Sequence, residues 1–238
     1  MTYATEIHSA FAQTIRGFSE SPAARFLNSG KLTIHHYKSV LTEIFHYARE
    51  DPQLQAQATV FFRGSDRECV KMFFKHATAE IGHDTMALED LRTLGVDVSS
   101  IPTSNPLPAT TALTAYPFYQ IQYRKAVGYL GYLYFLEHMP TSQGAAYSQA
   151  FSSAGVPREA MSFLLEHTTV DVAHNKLMEV YLEKLLRTRA DADEVIYAMR
   201  VTAYLYAEMV ASAFARAEQP ADFGVNHCEA DRTWPTKP

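Results

Sequence analysis

The chain has 238 residues, 47% of them hydrophobic and 20% charged, enough for one large core and too few for two comfortable ones. A formal net charge of -5, with Lys and Arg scattered along the chain, excludes the basic footprint of a nucleic-acid binder. The two cysteines, Cys69 and Cys228, stand far apart, which excludes a disulfide framework and a thiolate metal site and suits a reducing cytoplasm.

In chain order, residues 1–18 carry no basic stretch followed by an apolar run; Ile7, Phe11, Ile15 and Phe18 repeat as one face of an amphipathic first helix. A second helix is expected from an N-cap at Thr33 to Glu50, stopped by Asp51-Pro52. A third runs from Ser65 or Asp66 to Leu94, with Gly95 just past its end and a kink near Gly82. The segment VDVSSIPTSNPLPATT reads as an ordered connector in which Pro102, Pro106 and Pro108 favour extended backbone. Residues 101–123 are uncharged but interrupted by prolines, so they are no membrane span. Helix resumes near Pro117, runs to Glu137 and breaks at His138-Met139-Pro140-Thr141; a short helix follows over 143–154, then one from Pro157 to Arg187 and a last from Asp191 to Ala217. No repeat and almost no strand pattern appears. The expectation is a single all-α domain of about seven or eight helices over residues 1–220, with an irregular C-terminal tail at 221–238.

Within this pattern, HTTVDVAH at 167–174 raises a physical problem. At about 100° per residue, His167, Asp171 and His174 fall on one stripe. That stripe continues through Phe163 and Leu164 before them and Met178, Tyr181, Leu182 and Leu185 after them, so the polar trio sits on the face expected to be buried. Burying a carboxylate and two imidazoles costs several kcal/mol without a partner. The third helix repeats the pattern: Phe73, His76, Glu80, His83, Asp84, Ala87, Leu91 and Leu94 share a stripe, and Glu80 and His83 form an ExxH pair. A single histidine on an apolar stripe is usually a satisfied core group; two helices with several such residues each point to a shared metal. Glu137 ends the aromatic run KAVGYLGYLYFLE, with Tyr134, Leu133, Leu130 and Ala126 on its side of the helix. Glu80, His83, Glu137, His167, Asp171 and His174 make three carboxylates and three imidazoles, a donor set that favours iron or manganese over structural zinc.

The order ExxH, lone Glu after an aromatic helix, then HxxxDxxH resembles the haem-oxygenase-like di-iron oxidases, iron-containing redox enzymes related in fold to haem oxygenase, thiaminase II and pyrroloquinoline quinone synthase. The matching stretches are AEIGHDTMALEDLRTLG at 79–95, FLEH at 135–138 and SFLLEHTTVDVAH at 162–174. The resemblance implies a haem-oxygenase-like bundle in which those six residues bind two Fe(II), with Mn as an alternative, and in which O2 is a co-substrate. Known members cleave carbon–carbon bonds, desaturate or oxygenate nitrogen on amino acids or fatty acids, in biosynthetic pathways. A small-molecule substrate is therefore implied, with homodimerisation and an external electron donor both open and neither nucleic acid nor membrane as partner. A haem reading would need a proximal histidine on the first helix, where only His8 stands.

Residues beyond the ligands carry weaker signals. Arg200 shares a stripe of the last helix with Ile196, Ala203, Tyr204, Ala207, Ala211 and Phe214, so it is expected on the inward face as an anchor for a substrate carboxylate, with Tyr204 and Tyr134 lining the pocket. An internal ion pair is the competing account. His46, His76 and Glu43 are expected to support the ligands or line the pocket. Two alternatives remain: a cofactor-free or hydrolytic enzyme like thiaminase II, which needs a nucleophilic cysteine, and a non-catalytic metal-binding protein of the same fold.

Overall fold

Local chemistry sets several helix ends. Thr33 donates its backbone N–H to Nδ1 of His36 (3.1 Å), and Thr188 and Asp191 form a reciprocal box in which the Thr188 N–H donates to Asp191 Oδ2 (2.9 Å) and the Asp191 N–H to Thr188 Oγ1 (3.2 Å). The computed structural model describes residues 3–219, with the backbone alone for 169–173; the expected tail and Cys228 lie outside the described residues. The helices are α1 (Tyr3–Ser19), α2 (Pro22–Leu27), α3 (Ile34–Ala48), α4 (Asp51–Ala58), α5 (Glu68–Glu80), α6 (His83–Thr93), α7 (Pro108–Tyr123), α8 (Tyr129–Ser153), α9 (Ser162–Leu185) and α10 (Arg189–Ala217). There is no strand among the described residues. None of these helices is long and apolar enough to cross a membrane.

The central element is α8, buried at every position from Tyr129 to Phe135, as a helix apolar on all sides should be. It packs along α9 and α10, while α3 lies against α6 and α10. Where α8 crosses α10, a Cβ on Gly131 would come within 2.1 Å of the Val195 carbonyl oxygen, so only glycine permits that approach.

Four expected boundaries are displaced, the first being that the helix expected from Pro117 to Glu137 is two, α7 ending at Tyr123 and α8 starting at Tyr129. The third helix is two helices: α5 stops at Glu80, Gly82 takes a left-handed conformation (φ 106°), and α6 starts at His83. Helix α7 begins at Pro108, inside the expected connector, because a proline at the first helical position needs no N–H, and it carries Pro117 in its interior. Helix α8 runs unbroken through Pro140; the hydroxyls of Thr141 and Ser142 donate to the carbonyls of His138 (3.0 Å) and Met139 (3.0 Å) in that turn. The short helices α2 and α4 had no strong periodicity to announce them.

Candidate metal centre

Helices α5, α6, α8 and α9 converge on one buried cluster. The last residue of α5, Glu80, turns its carboxylate toward His76 one turn earlier, His83 at the start of α6, and His174 on α9. Glu80 Oε1 lies 3.5 Å from His76 Nε2 and 3.3 Å from His174 Nδ1, and Oε2 lies 2.7 Å from His83 Nδ1. Glu137 on α8 completes the arrangement, 3.0 Å from His76 Nε2 and 3.1 Å from His174 Nδ1. Two sets of side chains, each with its donor atoms within 4.8 Å of one another, could hold metal ions: His76, Glu80, Glu137 and His174, and Glu80, His83 and His167. Glu80 belongs to both.

His174 Nδ1 and Glu137 Oε2 share a hydrogen bond, but the contacts of His76 and of His83 Nδ1 lack hydrogen-bond geometry. Neither ring nitrogen of His76 and not Nδ1 of His83 makes a hydrogen bond of acceptable geometry, although carboxylate oxygens stand within ion-pair distance. Coordination of a cation would use these same nitrogens and oxygens once deprotonated, and such a donor set suits iron or manganese. Burial opposes charge on these groups, but Glu137 and Glu80 more than offset it at His76, whose pKa is raised to about 9, and His83 is raised by Glu80 in the same way. Reciprocally, the imidazoles outweigh burial and hold Glu80 and Glu137 below the usual carboxylate range. A metal ion entering the cluster therefore displaces protons.

His167 is different. Its Nδ1 lies 2.7 Å from the Phe163 carbonyl oxygen, which can only accept, so Nδ1 carries the hydrogen and Nε2 keeps its lone pair for a metal. Burial and the neighbouring His83, ring to ring at 4.6 Å, lower its pKa and so favour the neutral ring.

Of the six residues expected as ligands, the structure brings together Glu80, His83, Glu137, His167 and His174. The side chain of Asp171 lies outside the described residues; its backbone continues α9 between the two histidines. His76, expected to stand behind the ligands, is within ligand distance itself. The spacing signal for it was present, since His76 and Glu80 are i and i+4 on one helix.

Other expectations are corrected. Arg200 is exposed, as is Tyr204 at 64%, because the inward face of α10 is centred on Val195, Met199, Thr202, Tyr206, Met209 and Ala213; it takes Ala203, Ala207 and Phe214 with it at its edge and leaves Arg200 and Tyr204 outside. The carboxylate anchor therefore falls away. The guanidinium paired with a buried anion is Arg216, whose Nη1 donates to Glu43 Oε1 (2.6 Å). Glu43 also accepts from the Thr110 hydroxyl and the Leu107 N–H (3.0 Å), so it ties α3 to α7 and α10 and does not support the cluster. His46 contacts Ser104 (3.1 Å) on the same side of the molecule. Tyr134 is buried against Phe11 and stacked on His138, not on the cavity. His8 is half-exposed and pairs with Glu179 (2.8 Å), away from the cluster. Cys69 is fully buried and burial raises its pKa, the opposite of an activated nucleophile.

Two further buried or half-buried carboxylates carried no motif. Asp90 on α6 accepts from the backbone N–H groups of Ser162 (3.0 Å) and Phe163 (2.9 Å) and from the Ser162 hydroxyl (2.7 Å), capping α9 and fixing where its histidines fall. Asp51 at the start of α4 accepts from the Tyr132 hydroxyl (3.1 Å) and lines a narrow cavity of about 70 Å³ beside the cluster, with Tyr47, Met139, Tyr147, Phe163 and Tyr206 among the other walls. Burial and the nearby Glu80 push its pKa well above the ordinary carboxyl value.

A buried His/Glu cluster supplied by four helices could hold metal ions, and comparison with known proteins gives the family. The model of the iron-containing redox enzyme family matches residues 38–207, so the chain belongs to that haem-oxygenase-like family. Among solved structures, a haem-oxygenase-like domain from Shewanella denitrificans is similar at 26% identity and TM-score 0.82, covering 90% of this chain and 92% of the other. A TenA homologue from Pseudomonas syringae pv. tomato shares the fold at 12% identity and TM-score 0.72, covering 90% and 93%. Haem oxygenase from Leptospira interrogans does so at 14% identity and TM-score 0.64, covering 89% and 100%. No curated protein matches.

Proposed function

We propose that this protein is a non-haem di-iron oxidase or oxygenase acting on a small organic substrate in the cavity beside the cluster. The observation that carries the proposal is the membership of Glu80 in both donor groups, the arrangement expected of a carboxylate between two neighbouring ions. Glu80, His83, Glu137, His167, Asp171 and His174 are the proposed ligands, with His76 added by its position. Two ferrous ions held there would supply electrons and open coordination positions for activating O2.

The chain's own residues do the rest. The Phe163 carbonyl fixes the His167 tautomer, and Asp90 fixes the start of the helix that carries His167 and His174. Tyr132 donates to Oδ1 of Asp51, so a protonated Asp51 carries its hydrogen on Oδ2. Such a carboxylic acid is a proton source within the cavity, which needs one when oxygen is reduced. Leu136, Met139, Phe163 and Leu164 on the cavity wall limit water access.

The reading is tested by anaerobic loading with Fe(II) followed by metal analysis and Mössbauer spectroscopy. Two ions per chain with a coupled pair after exposure to O2 are expected. A chain that retains less than one iron, or holds only isolated ions, is not a di-iron oxidase.

A further inference from the structure

The outer face of α10 is composed in a way that its role as a core helix does not explain. Tyr197, Arg200, Tyr204, Glu208 and Ala211 lie within roughly 40° of one direction at 100° per residue, opposite the buried stripe. Tyr204 is 64% exposed and Tyr197 47%, and on the adjoining α7 Tyr119 and Tyr123 stack on each other in the open. Arg124 at the end of α7 lies over the Tyr197 ring, 4.6 Å from its centroid, so the α7 tyrosines continue the α10 patch at that end. A single exposed tyrosine is ordinary; four on two neighbouring helices set this face apart. Among the described residues, Arg200 and Glu208 make no hydrogen bond or ion pair, although other exposed charges of α10, such as Arg189 and Asp193, do.

The order of these residues is self-complementary. Arg200 and Glu208 stand four residues to either side of Tyr204, and Tyr197 and Ala211 stand seven to either side. In an antiparallel pair of identical helices related by a two-fold axis, a residue before the axis meets the residue equally far beyond it. With the axis beside Tyr204, Arg200 meets the partner's Glu208 and Glu208 meets the partner's Arg200. Tyr197 lies over the partner's Ala211, a large side chain against a small one, twice. The two tyrosine–alanine contacts would be separated by about 21 Å along the helix at 1.5 Å per residue, a span suited to a substantial interface.

We propose that two copies of this chain associate through the outer face of α10, antiparallel about a two-fold axis at Tyr204. The balance of one acid and one base suits a second copy and not an anionic lipid surface or a nucleic acid, which would select for cations alone. The interface lies on the side of α10 away from the core and is independent of the metal chemistry proposed above.

Sedimentation analysis of the full chain at micromolar concentration tests it, with circular dichroism to confirm that each variant is folded. A dimer is expected for the unaltered protein. Arg200→Glu and Glu208→Arg should each weaken association by roughly ten-fold or more, since each creates like-charge encounters at both ends of the symmetric interface. The double variant R200E/E208R should restore it. A monomer at all concentrations, a dimer indifferent to both single changes, or a double variant no better than the singles overturns the proposal.

Discussion

At the scale of single residues, Glu80 is the side chain whose removal should be felt most. Under the di-iron reading, Glu80→Ala should empty both positions, whereas His83→Ala and Glu137→Ala should each leave one ion bound; metal content after anaerobic loading distinguishes them, and equal losses in all three would remove the shared role of Glu80. The fold itself should tolerate Glu80→Ala, because deleting a buried anion also relieves its desolvation. The imidazoles give a pH dependence with a definite sign. His76, raised to about 9 from 6.5, contributes stability to the metal-free protein that is complete below about pH 6.5 and lost as pH rises through about 9. Glu80, held below its usual 4.5, contributes stability that is lost on acidification below that value. Thermal melting of metal-free protein should thus show an alkaline decline that His76→Gln flattens. Metal affinity should rise over the same alkaline range, as bound protons stop competing. The ligand types were legible in the sequence because each sat on an apolar stripe where a charge has no business. Arg200 was misread because its stripe straddles the edge of the buried face, with Ala203, Ala207 and Phe214 inside it and Arg200 and Tyr204 outside, while Val195, Met199 and Met209 mark its centre. Asp51 left no trace, since a carboxylate at the start of a short helix looks like ordinary first-turn chemistry.

At the scale of elements, the break at Gly82 matters more than the ExxH spacing that announced it. On one continuous helix Glu80 and His83 would differ by a fixed rotation; here the left-handed glycine places the last residue of one helix against the first of the next. A side chain at φ 106° is strained by about 1–3 kcal/mol. Gly82→Ala should therefore lower the melting temperature and also iron occupancy. Gly95 is a control, being also left-handed (φ 75°), with nothing within 4 Å, and just past the far end of α6. Gly95→Ala should cost comparable stability and leave iron loading intact, and if both glycines lose iron alike, the local geometry at Gly82 is not what matters. Sequence located the glycine and expected a kink. It did not separate a kink from two helices, because the stripe of apolar residues keeps its phase across the break. The cap from Asp90 to Ser162 and Phe163 was invisible for a related reason: its partners are 72 and 73 residues away, and no local pattern encodes a tertiary cap.

At the scale of the whole molecule, α5, α6, α8 and α9 are joined by side chains that repel, attract or orphan one another depending on what lies between them. Occupancy by metal should act as a tie across the bundle. A ligand bound only by the folded state adds about 2.7 kcal/mol at a hundred times its dissociation constant, so anaerobic Fe(II) or Mn(II) should raise the melting temperature by several degrees. An unchanged melting curve in the presence of excess metal would contradict a preformed site. The all-α class and the family pattern were readable from periodicity and motif order, which survive local errors in helix boundaries. The cavity was not, because Asp51, Tyr147 and Tyr206 come from three helices whose relative placement no short stretch records.

The division at Gly82 has an electrostatic consequence. The C-terminal end of α5 and the N-terminal end of α6 meet there, and the peptide dipoles of each helix add to roughly half an elementary charge, negative at the end of α5 and positive at the start of α6. Glu80 thus sits where backbone carbonyls favour a cation, and His83 where backbone amides oppose the positive charge that Glu80 favours on its ring. A continuous helix through the same residues would present neither pole. The cluster lies in a built-in field between two opposed helix ends only two residues apart in the chain, which assists entry of positive charge on the Glu80 side and accommodation of negative charge on the His83 side.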